Sequence, residues 1–222
     1  MAILSEEYLR EEMVTIARKM DSCGMNHGSS GNISVRVKDG ILITPGSIKP
    51  EEIEPSHLLK IDLNGNHLET PLNVKGVQPS SEWRLHTEIH KERKEINSIV
   101  HCHSINATAL ACHSKGIPSF HYMTAVAGGA NIRCAKYATF GTNELSINAI
   151  KALKNRFACL LAQHGQIAIG KSLNNALMLA IEVENLANIY LNSCMLGKPN
   201  LLSKKEMKNV LNKFKSLNYI KF

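Results

Sequence analysis

Short segments with β-strand periodicity occur in hairpin-like pairs between amphipathic helices, and this alternation constrains the fold more than any other feature of the sequence. Apolar residues alternate over residues 33–37, Asp39-Gly40 supplies a tight turn, and residues 41–44 (ILIT) form the return strand of a hairpin. Residues 158–170 (ACLLAQHGQIAIG) predict a second pair of apolar strands, separated near Gly165. Strands joined by tight turns run antiparallel, whereas parallel strands need long crossovers. The pattern therefore predicts a largely antiparallel sheet covered by helices.

Apolar spacing and capping residues predict six helices around these strands. Two of the six are short and cover residues 80–89, beginning at the pair Ser80-Ser81, and residues 107–112. The last helix is predicted to begin with a capping box, in which Glu206 lies three residues after the capping residue Ser203. Four helices begin at a hydroxyl side chain that can accept a hydrogen bond from the first turn: Ser5, Thr142, Ser172 and Ser203.

The composition indicates a globular protein of ordinary size. The 222 residues are 44% hydrophobic, and we expect residues 1–222 to form one domain. No apolar run approaches the roughly 20 residues that a membrane-spanning helix needs, so no membrane association is expected. The N-terminus (MAILSEEYLREE) turns acidic at once and lacks the pattern of a secretory signal, which predicts a cytoplasmic protein. Six scattered cysteines without CxxC pairs are expected to be reduced and mostly buried.

The formal net charge of +7 does not by itself identify a partner. Much of the excess lies in the tail from Lys198 to Lys221 rather than in one dense block. A nucleic-acid surface would need clustered Lys and Arg interleaved with aromatic residues, and the sequence lacks such a cluster. Because a positive field also attracts small phosphorylated metabolites, we expect a small phosphorylated substrate and no nucleic acid.

Ten histidines are present, and two of them form a pattern typical of metal ligands. His101 and His103 are two residues apart on a predicted strand, which places both imidazoles on one face, where they can chelate one ion. Six others are interpreted as solvated or hydrogen-bonded side chains in polar or helical-surface positions: His27, His57, His67, His86, His90 and His113.

His164 and Glu82 each allow a structural and a functional interpretation. His164 ends an apolar strand and precedes a glycine, so it is either a hydrogen-bonded core residue or a ligand at the strand end. Glu82 either complements a helix dipole or is an oxygen ligand or base beside the ion. Three neutral imidazoles and a carboxylate fit a catalytic transition-metal site, with zinc the leading candidate, because structural zinc usually has thiolate ligands.

Three small-residue turns suggest an anion site. Residues 26–32 (NHGSSGN) connect a helix to a strand and allow backbone amides to approach an oxyanion closely. Residues 45–47 (PGS) form a second turn, and Ser80-Ser81 precede a helix, a common place for phosphate. Each is weak alone; together with the His and Glu residues they suggest a phosphorylated substrate that bears a carbonyl group.

The chain resembles the class II aldolase and adducin family, and within it the branch that acts on L-fuculose 1-phosphate. The resemblance runs from about residue 9 to residue 214, with matching segments in order and at compatible spacing. These segments are GSSGNISVR (28–36), ILITPGSI (41–48), PSSEW (79–83), HCHS (101–104), FHYMTAVAGG (120–129), YATFGTNEL (137–145), ALKNR (152–156), QHG (163–165) and AIEVENLANIYL (180–191).

The resemblance implies an α/β fold: a three-layer α-β-α domain of class II aldolase type with a largely antiparallel central sheet. It implies one Zn²⁺ per subunit, bound by His101, His103, His164 and Glu82, with Glu82 also the catalytic acid/base. It further implies a homotetramer with active sites between subunits, in which Tyr122 enters a neighbour's site and acts on the aldehyde oxygen. Phosphate binding is implied for Gly31, Asn32, Gly46, Ser47, Ser80 and Ser81, and product positioning for Phe140, Phe214 and Tyr219.

The implied reaction is the reversible cleavage of a ketose 1-phosphate to dihydroxyacetone phosphate and an aldehyde. The implied ketose is L-fuculose 1-phosphate or the 1-phosphate of a similar 5-deoxy or 6-deoxy sugar. Leu217 stands where the fuculose enzyme has a tyrosine, with Tyr219 two residues later, so the choice of aldehyde stays open. Alternatives are a pentulose-phosphate 4-epimerase, which usually has Asp in place of Glu82, a sugar-phosphate dehydratase, and a non-enzymatic adducin-like assembly domain.

Overall fold

A seven-stranded sheet organises the chain, of which the computed structural model describes residues 5–69 and 76–217. The strands lie in the order β3-β2-β1-β4-β7-β6-β5, and every neighbouring pair is antiparallel except β5 and β6. The largely antiparallel sheet is confirmed, with one parallel pair at an edge. The strands are β1 (Asn32–Val37), β2 (Gly40–Ile43), β3 (Leu59–Ile61), β4 (Ser98–Cys102), β5 (Arg133–Ala135), β6 (Ala158–Leu161) and β7 (Gly165–Gly170).

The described part of the chain contains six α-helices beside the sheet, and each of the four expected hydroxyl caps accepts a backbone N–H from its helix. In the capping box, the backbone N–H of Glu206 donates to Ser203, but the Glu206 carboxylate accepts from Asn209 instead of closing the box. Among the residues described, no helix is long and apolar enough to cross a bilayer. The helices are α1 (Glu6–Ser22), α2 (Trp83–Glu92), α3 (Ile105–Cys112), α4 (Asn143–Leu153), α5 (Leu173–Met195) and α6 (Lys204–Ser216).

Helix α2 begins two to three residues later than the serine pair predicts. Its first residue is Trp83, and Glu82 occupies the capping position. Ser80 is held in an extended segment because its backbone N–H donates to the Thr44 carbonyl at the end of β2 (3.1 Å). The helix start therefore places the Glu82 side chain, rather than a serine hydroxyl, at the junction between helix and sheet.

The two faces of the sheet bury separate apolar clusters. Helices α1, α3 and α5 pack on one face, against side chains such as Ile33, Val35 and Val100. Helices α2 and α4 pack on the other face, against Ile99 and Ile167. This confirms the three-layer α-β-α arrangement. Helix α6 packs on the short 3₁₀ segment Tyr122–Ala127 through a smaller cluster.

Strand β1 has one apolar and one polar side. Ile33 and Val35 enter the apolar cluster beneath α1 and α5. The alternate residue Ser34 faces α2, where its hydroxyl oxygen lies 2.7 Å from His86 Nδ1 and 3.0 Å from His90 Nε2. The helical-surface placement of His86 and His90 is therefore wrong, because both are fully buried, whereas their interpretation as hydrogen-bonded side chains is correct. The other four histidines of that group are exposed or partly exposed: His27, His57, His67 and His113.

The expectation of mostly buried cysteines is correct for only part of the set. All six cysteines are free thiols. Cys102 and Cys159 lie in the sheet and are buried, and Cys134 is half-buried. The prediction is wrong for the three that lie at helix ends, which are exposed: Cys23, Cys112 and Cys194.

The buried, neutral His90 makes the fold sensitive to acid. Burial, together with the charges of Arg36 and His86, holds the pKa of His90 well below its usual value. The unfolded chain binds a proton at this residue below about pH 6.5, whereas the folded chain does not, so stability falls as the pH falls. We expect His90→Gln to reduce that loss by about 1.4 kcal/mol per pH unit below about pH 6.

Urea unfolding of the metal-free protein at pH 7, 6 and 5 measures this slope. His113→Gln is the matched control, since the exposed His113 side chain meets water in both states. Equal slopes for the wild type and His90→Gln would contradict the prediction.

Candidate active site

Three imidazoles meet where β4 and β7 lie side by side. His101 is on β4, His103 follows that strand, and His164 lies in the turn between β6 and β7. The pairing of Cys102 with Gln166 brings that turn against the end of β4. The three ring centroids are 4.8, 4.8 and 4.9 Å apart, and the ring planes are inclined to one another by 73–76°. The rings thus form a nearly equilateral group.

The Glu82 carboxylate completes this group. Its Oε2 lies 3.0 Å from His101 Nε2, and its Oε1 lies 3.3 Å from His164 Nε2. One donor atom from each of Glu82, His101, His103 and His164 lies within 4.8 Å of the others. These four side chains form a group that could hold a metal ion.

The hydrogen-bonding pattern favours lone pairs directed at the centre of the group. His101 Nδ1 lies 2.9 Å from the Gln166 carbonyl oxygen, which can only accept, so this nitrogen donates and Nε2 faces the other ligands. Burial lowers the pKa of His103 and of His164 to about 4, and the charge of His101 adds to this. Both imidazoles are therefore neutral near pH 7 and can bind a cation.

The buried Glu82 carboxylate is held in its charged form. Burial opposes its ionisation, but His101, His164 and the Asn32 amide outweigh that effect and hold the Glu82 pKa well below its usual value. Its Oε1 is buried and accepts no hydrogen bond from the described residues. Burial lowers the pKa of His101, but the adjacent Glu82 carboxylate outweighs this and raises it, so a bound cation would take the place of the proton that His101 shares with Glu82. A charged carboxylate oxygen without a hydrogen bond, next to the neutral His103 and His164 imidazoles, fits a divalent transition metal, and the N/O donor set without thiolate suits a catalytic zinc site.

A cavity of about 1020 Å³ adjoins this group. Glu82, His103 and His164 lie on its wall, whereas His101 is fully buried behind them. The turns at Pro45 and Pro79 are joined by a β-bridge, which brings two of the expected anion-binding turns together. All six residues expected to bind phosphate line the cavity: Gly31, Asn32, Gly46, Ser47, Ser80 and Ser81.

The donors available to an anion differ from the expected set. The backbone N–H of Gly46 already donates to the Gln78 carbonyl (2.9 Å), and that of Ser80 donates to Thr44. Within the described residues, the backbone N–H groups of Ser47 and Ser81 have no acceptor. The two serine amides, rather than the Gly46 amide, are therefore free for a ligand.

Gly31 lets the turn over residues 26–32 approach the candidate metal ligands. Its φ is +78°, and a Cβ there would lie 2.3 Å from Asn26 Oδ1. That same Asn26 oxygen accepts the backbone N–H of His103 at 3.2 Å. Asn26 thus connects the glycine turn to a candidate ligand, a role that its position in the turn did not predict.

The aromatic residues are divided between two places. Phe140 lines the cavity and is exposed. Tyr122 and Phe214 do not line it; together with Met123 and Val210 they border a separate pocket, with their rings 6.2 Å apart. Tyr219 lies outside the described residues.

Sequence reasoning missed His86, which contacts the site from behind. Its Nε2 lies 2.6 Å from Asn32 Oδ1, and the Asn32 amide donates to Glu82 Oε2 at 3.1 Å. The available signal was the spacing of Glu82, His86 and His90, which places all three on one side of α2.

Gly165 is needed where β7 approaches the ligands. A Cβ there would lie 2.5 Å from the Cys102 carbonyl oxygen and 2.9 Å from His103 Cδ2. Gly170, at the far end of the same strand, has as little room for a side chain, because a Cβ there would lie 2.8 Å from the Ala176 backbone nitrogen. We expect Gly165→Ala and Gly170→Ala each to destabilise the fold by about 1–3 kcal/mol.

If the candidate group binds added Zn²⁺, only Gly165→Ala should also weaken that binding, by about 10-fold or more, because the added Cβ would push against the backbone and ring of His103, a candidate ligand. Competition with a coloured chelator measures the zinc affinity, and urea unfolding measures the stability. Equal zinc affinities for the two variants would contradict this expectation.

The chain is similar to known proteins over nearly its whole length. Residues 11–191 match the family model described as the class II aldolase and adducin N-terminal domain. The chain is 46% identical over 209 residues to the L-fuculose phosphate aldolase of Escherichia coli K12, covering 94% of each. It is 44% identical over 209 residues to the 5-methylthioribulose-1-phosphate/5-deoxyribulose-1-phosphate aldolase of Rhodospirillum rubrum, covering 94% of this chain and 91% of that protein. A solved L-fuculose 1-phosphate aldolase superposes with a TM-score of 0.88 at 39% identity, covering 94% of this chain and 96% of that one.

Proposed function

Because the chain belongs to the class II aldolase and adducin family and is an enzyme of its aldolase group, we propose that it cleaves a ketose 1-phosphate reversibly to dihydroxyacetone phosphate and an aldehyde. One observation carries this proposal. The Glu82 carboxylate and two of the three grouped imidazoles lie on the wall of the cavity that also contains all six candidate phosphate-binding residues. A metal, a base and an anion site on one wall suit proton removal from a carbon next to the carbonyl of a ketose that carries a phosphate.

The proposed substrate is the 1-phosphate of a deoxy ketose. Two relatives are named for L-fuculose phosphate and for 5-methylthioribulose 1-phosphate and 5-deoxyribulose 1-phosphate, at 46% and 44% identity. Since these identities are nearly equal, they support the class of sugar and not one member of it. The shared part, a phosphate next to a carbonyl, corresponds to the part of the cavity built by the turns.

We assign one zinc ion per chain to His101, His103 and His164, with Glu82 as a fourth ligand before substrate binds. When bound, the ion supplies positive charge that polarises a carbonyl oxygen and stabilises the negative charge developed during proton removal.

Glu82 is the proposed acid/base. In the condensation direction its carboxylate removes a proton from the hydroxymethyl carbon next to the carbonyl of dihydroxyacetone phosphate, and that carbon forms the new C–C bond to the aldehyde carbon. In cleavage that C–C bond breaks and Glu82 returns the proton to the same carbon. The unpaired Oε1 leaves one oxygen free for this transfer, while the Asn32 amide holds Oε2 at 3.1 Å. A carboxylate that stays charged inside the protein is ready to act as the base.

The cavity binds the two ends of the substrate in different places. The Ser47 and Ser81 amides and the Ser80 hydroxyl are the proposed donors to the phosphate, which suits the free N–H groups at the start of α2. Phe140, on the same cavity wall, is proposed to position the product.

Tyr122 is proposed to protonate the aldehyde oxygen from a neighbouring subunit. Within one chain it does not line the cavity, lies in the separate pocket with Phe214, and is 50% exposed. By the family resemblance, a second copy would bring Tyr122 to the site within a homotetramer, and Phe214, which borders the same pocket, is proposed to help position the product. Tyr219 is proposed to contribute to the same end of the product site.

The reaction can be tested with three sugars. We expect the zinc-loaded protein to release dihydroxyacetone phosphate from L-fuculose 1-phosphate, 5-deoxyribulose 1-phosphate or 5-methylthioribulose 1-phosphate, detected by a coupled dehydrogenase. Removal of the metal with a chelator should abolish the activity, and added zinc should restore it.

Metal-bound protein that releases no triose phosphate from any of these sugars would contradict the proposal. NMR of the sugar phosphate would then show whether the product is an epimer or a dehydrated sugar. A protein unable to bind a divalent ion would instead favour an adducin-like assembly role.

Replacing the base should separate catalysis from metal binding. We expect Glu82→Gln to lower kcat by about 10²–10⁴-fold, because an amide of the same shape cannot accept the proton. Zinc should remain bound through the three histidines, measured as metal content per chain. Glu88→Gln is the control on the same helix, since among the residues that the structure describes the Glu88 carboxylate pairs with Lys91 alone, at 2.8 Å. Similar kcat values for the two variants would overturn the role of Glu82.

A further inference from the structure

A line of buried polar side chains runs from Glu82 away from the cavity, between β1 and α2. Glu82 Oε2 lies 3.1 Å from Asn32 Nδ2, and Asn32 Oδ1 lies 2.6 Å from His86 Nε2. His86 Nδ1 lies 2.7 Å from the Ser34 hydroxyl, which lies 3.0 Å from His90 Nε2. All five residues are buried, and His90 Nδ1, at the end of the line, has no partner among the described residues.

The charged carboxylate fixes the direction of every hydrogen bond in this line. Because Glu82 can only accept, Asn32 must present its NH₂ group to Glu82 and its carbonyl oxygen to His86. His86 must then donate from Nε2 to Asn32 and accept at Nδ1 from the Ser34 hydroxyl. Ser34 in turn accepts from the N–H at His90 Nε2. Since a neutral imidazole carries one N–H, His90 Nδ1 is unprotonated and ends the line.

This pattern requires a neutral His86 with its proton on Nε2. Burial lowers the pKa of His86 to about 3, and the charge of His101 adds to this. A neutral imidazole has one N–H and one lone pair, which are the two functions that Asn32 and Ser34 need.

The Asn32 NH₂ group also contacts the anion-binding turn. It donates to the Ser80 hydroxyl oxygen at 2.9 Å as well as to Glu82. Since the Ser80 oxygen accepts this bond, its O–H proton is free to point into the cavity towards an anion. With the amide reversed, the Asn32 carbonyl would face the Glu82 carboxylate and take the Ser80 proton for itself.

We propose that His86 is a positioning residue that holds the Asn32 amide with its NH₂ group on Glu82 and Ser80, and so couples the catalytic carboxylate to the phosphate site. Ser34 supports it by fixing which nitrogen of His86 carries the proton. This rests on the proposed function for the identity of the base and of the anion. Neither His86 nor Ser34 lines the cavity, so both act through Asn32.

The test uses zinc-loaded protein and inorganic phosphate as the probe, with binding measured by calorimetry. His86→Leu removes the donor to Asn32, whereas His86→Gln keeps a donor the same number of bonds from the backbone as His Nε2. Ser34→Ala removes the hydroxyl that supports the His86 lone pair and that accepts from His90 Nε2, and it leaves the His86 donor to Asn32 in place. Ser98→Ala is the matched control, because Ser98 lies on the adjacent strand β4, is fully buried, and its hydroxyl has no partner among the described residues.

We expect His86→Leu to weaken phosphate binding about 10-fold or more, and Ser34→Ala to weaken it by a smaller factor. His86→Gln should restore most of the affinity, and Ser98→Ala should match the wild type. Zinc content should stay at one per chain in all four variants, because the three histidine ligands are untouched. Cleavage of the sugar phosphate, where it occurs, should fall in parallel with phosphate affinity.

Wild-type phosphate affinity in folded, zinc-loaded His86→Leu and Ser34→Ala would overturn the proposal. So would equal losses in His86→Leu and His86→Gln, because a purely structural role does not distinguish a donor from an apolar side chain. A wild-type protein that binds no phosphate would also overturn it. Phosphate binding needs no turnover, so failure of all three sugars would refute the proposed reaction, while the phosphate affinities of the variants would still support or overturn the role of His86.

Discussion

The structure depends on one buried carboxylate that faces three imidazoles. Removing Glu82 from water is unfavourable, and the neighbouring histidines and the Asn32 amide offset that cost. Much of the surrounding backbone serves this contact: the pairing of β4 with β7, the close approach at Gly165, and the helix start at Trp83. The same arrangement leaves one carboxylate oxygen unpaired, and this oxygen makes the group suitable for a cation and for proton transfer.

Local patterns predicted much of the fold, because they act within a few residues. The caps at Ser5, Thr142, Ser172 and Ser203 are confirmed, as are the paired strands and the three-layer arrangement. The start of α2 was misplaced because a contact from Ser80 to the distant Thr44 overrides the local serine signal. The burial of His86 and His90 was missed for a related reason, since it depends on the polar side of β1.

The grouping of the candidate ligands could not be deduced from spacing alone. His101 and His103 share one segment, but their contact with His164 requires β7 to lie between β4 and β6, which is a matter of strand order. The family resemblance supplied what local physics could not. It did not reveal that the Gly46 amide is already engaged and that the Ser47 and Ser81 amides are free, since this depends on how the two turns bond to each other.

The two-sided character of β1 has a consequence for how the protein folds. A slip of one residue in its register against β4 would turn Ile33 and Val35 towards the histidines of α2 and force Asn32 and Ser34 into hydrocarbon. Such a mispaired chain would lose apolar burial and leave several buried polar groups without partners, so it would be much less stable than the native pairing. The polar residues that prepare the site for chemistry therefore also serve as a check on correct strand alignment.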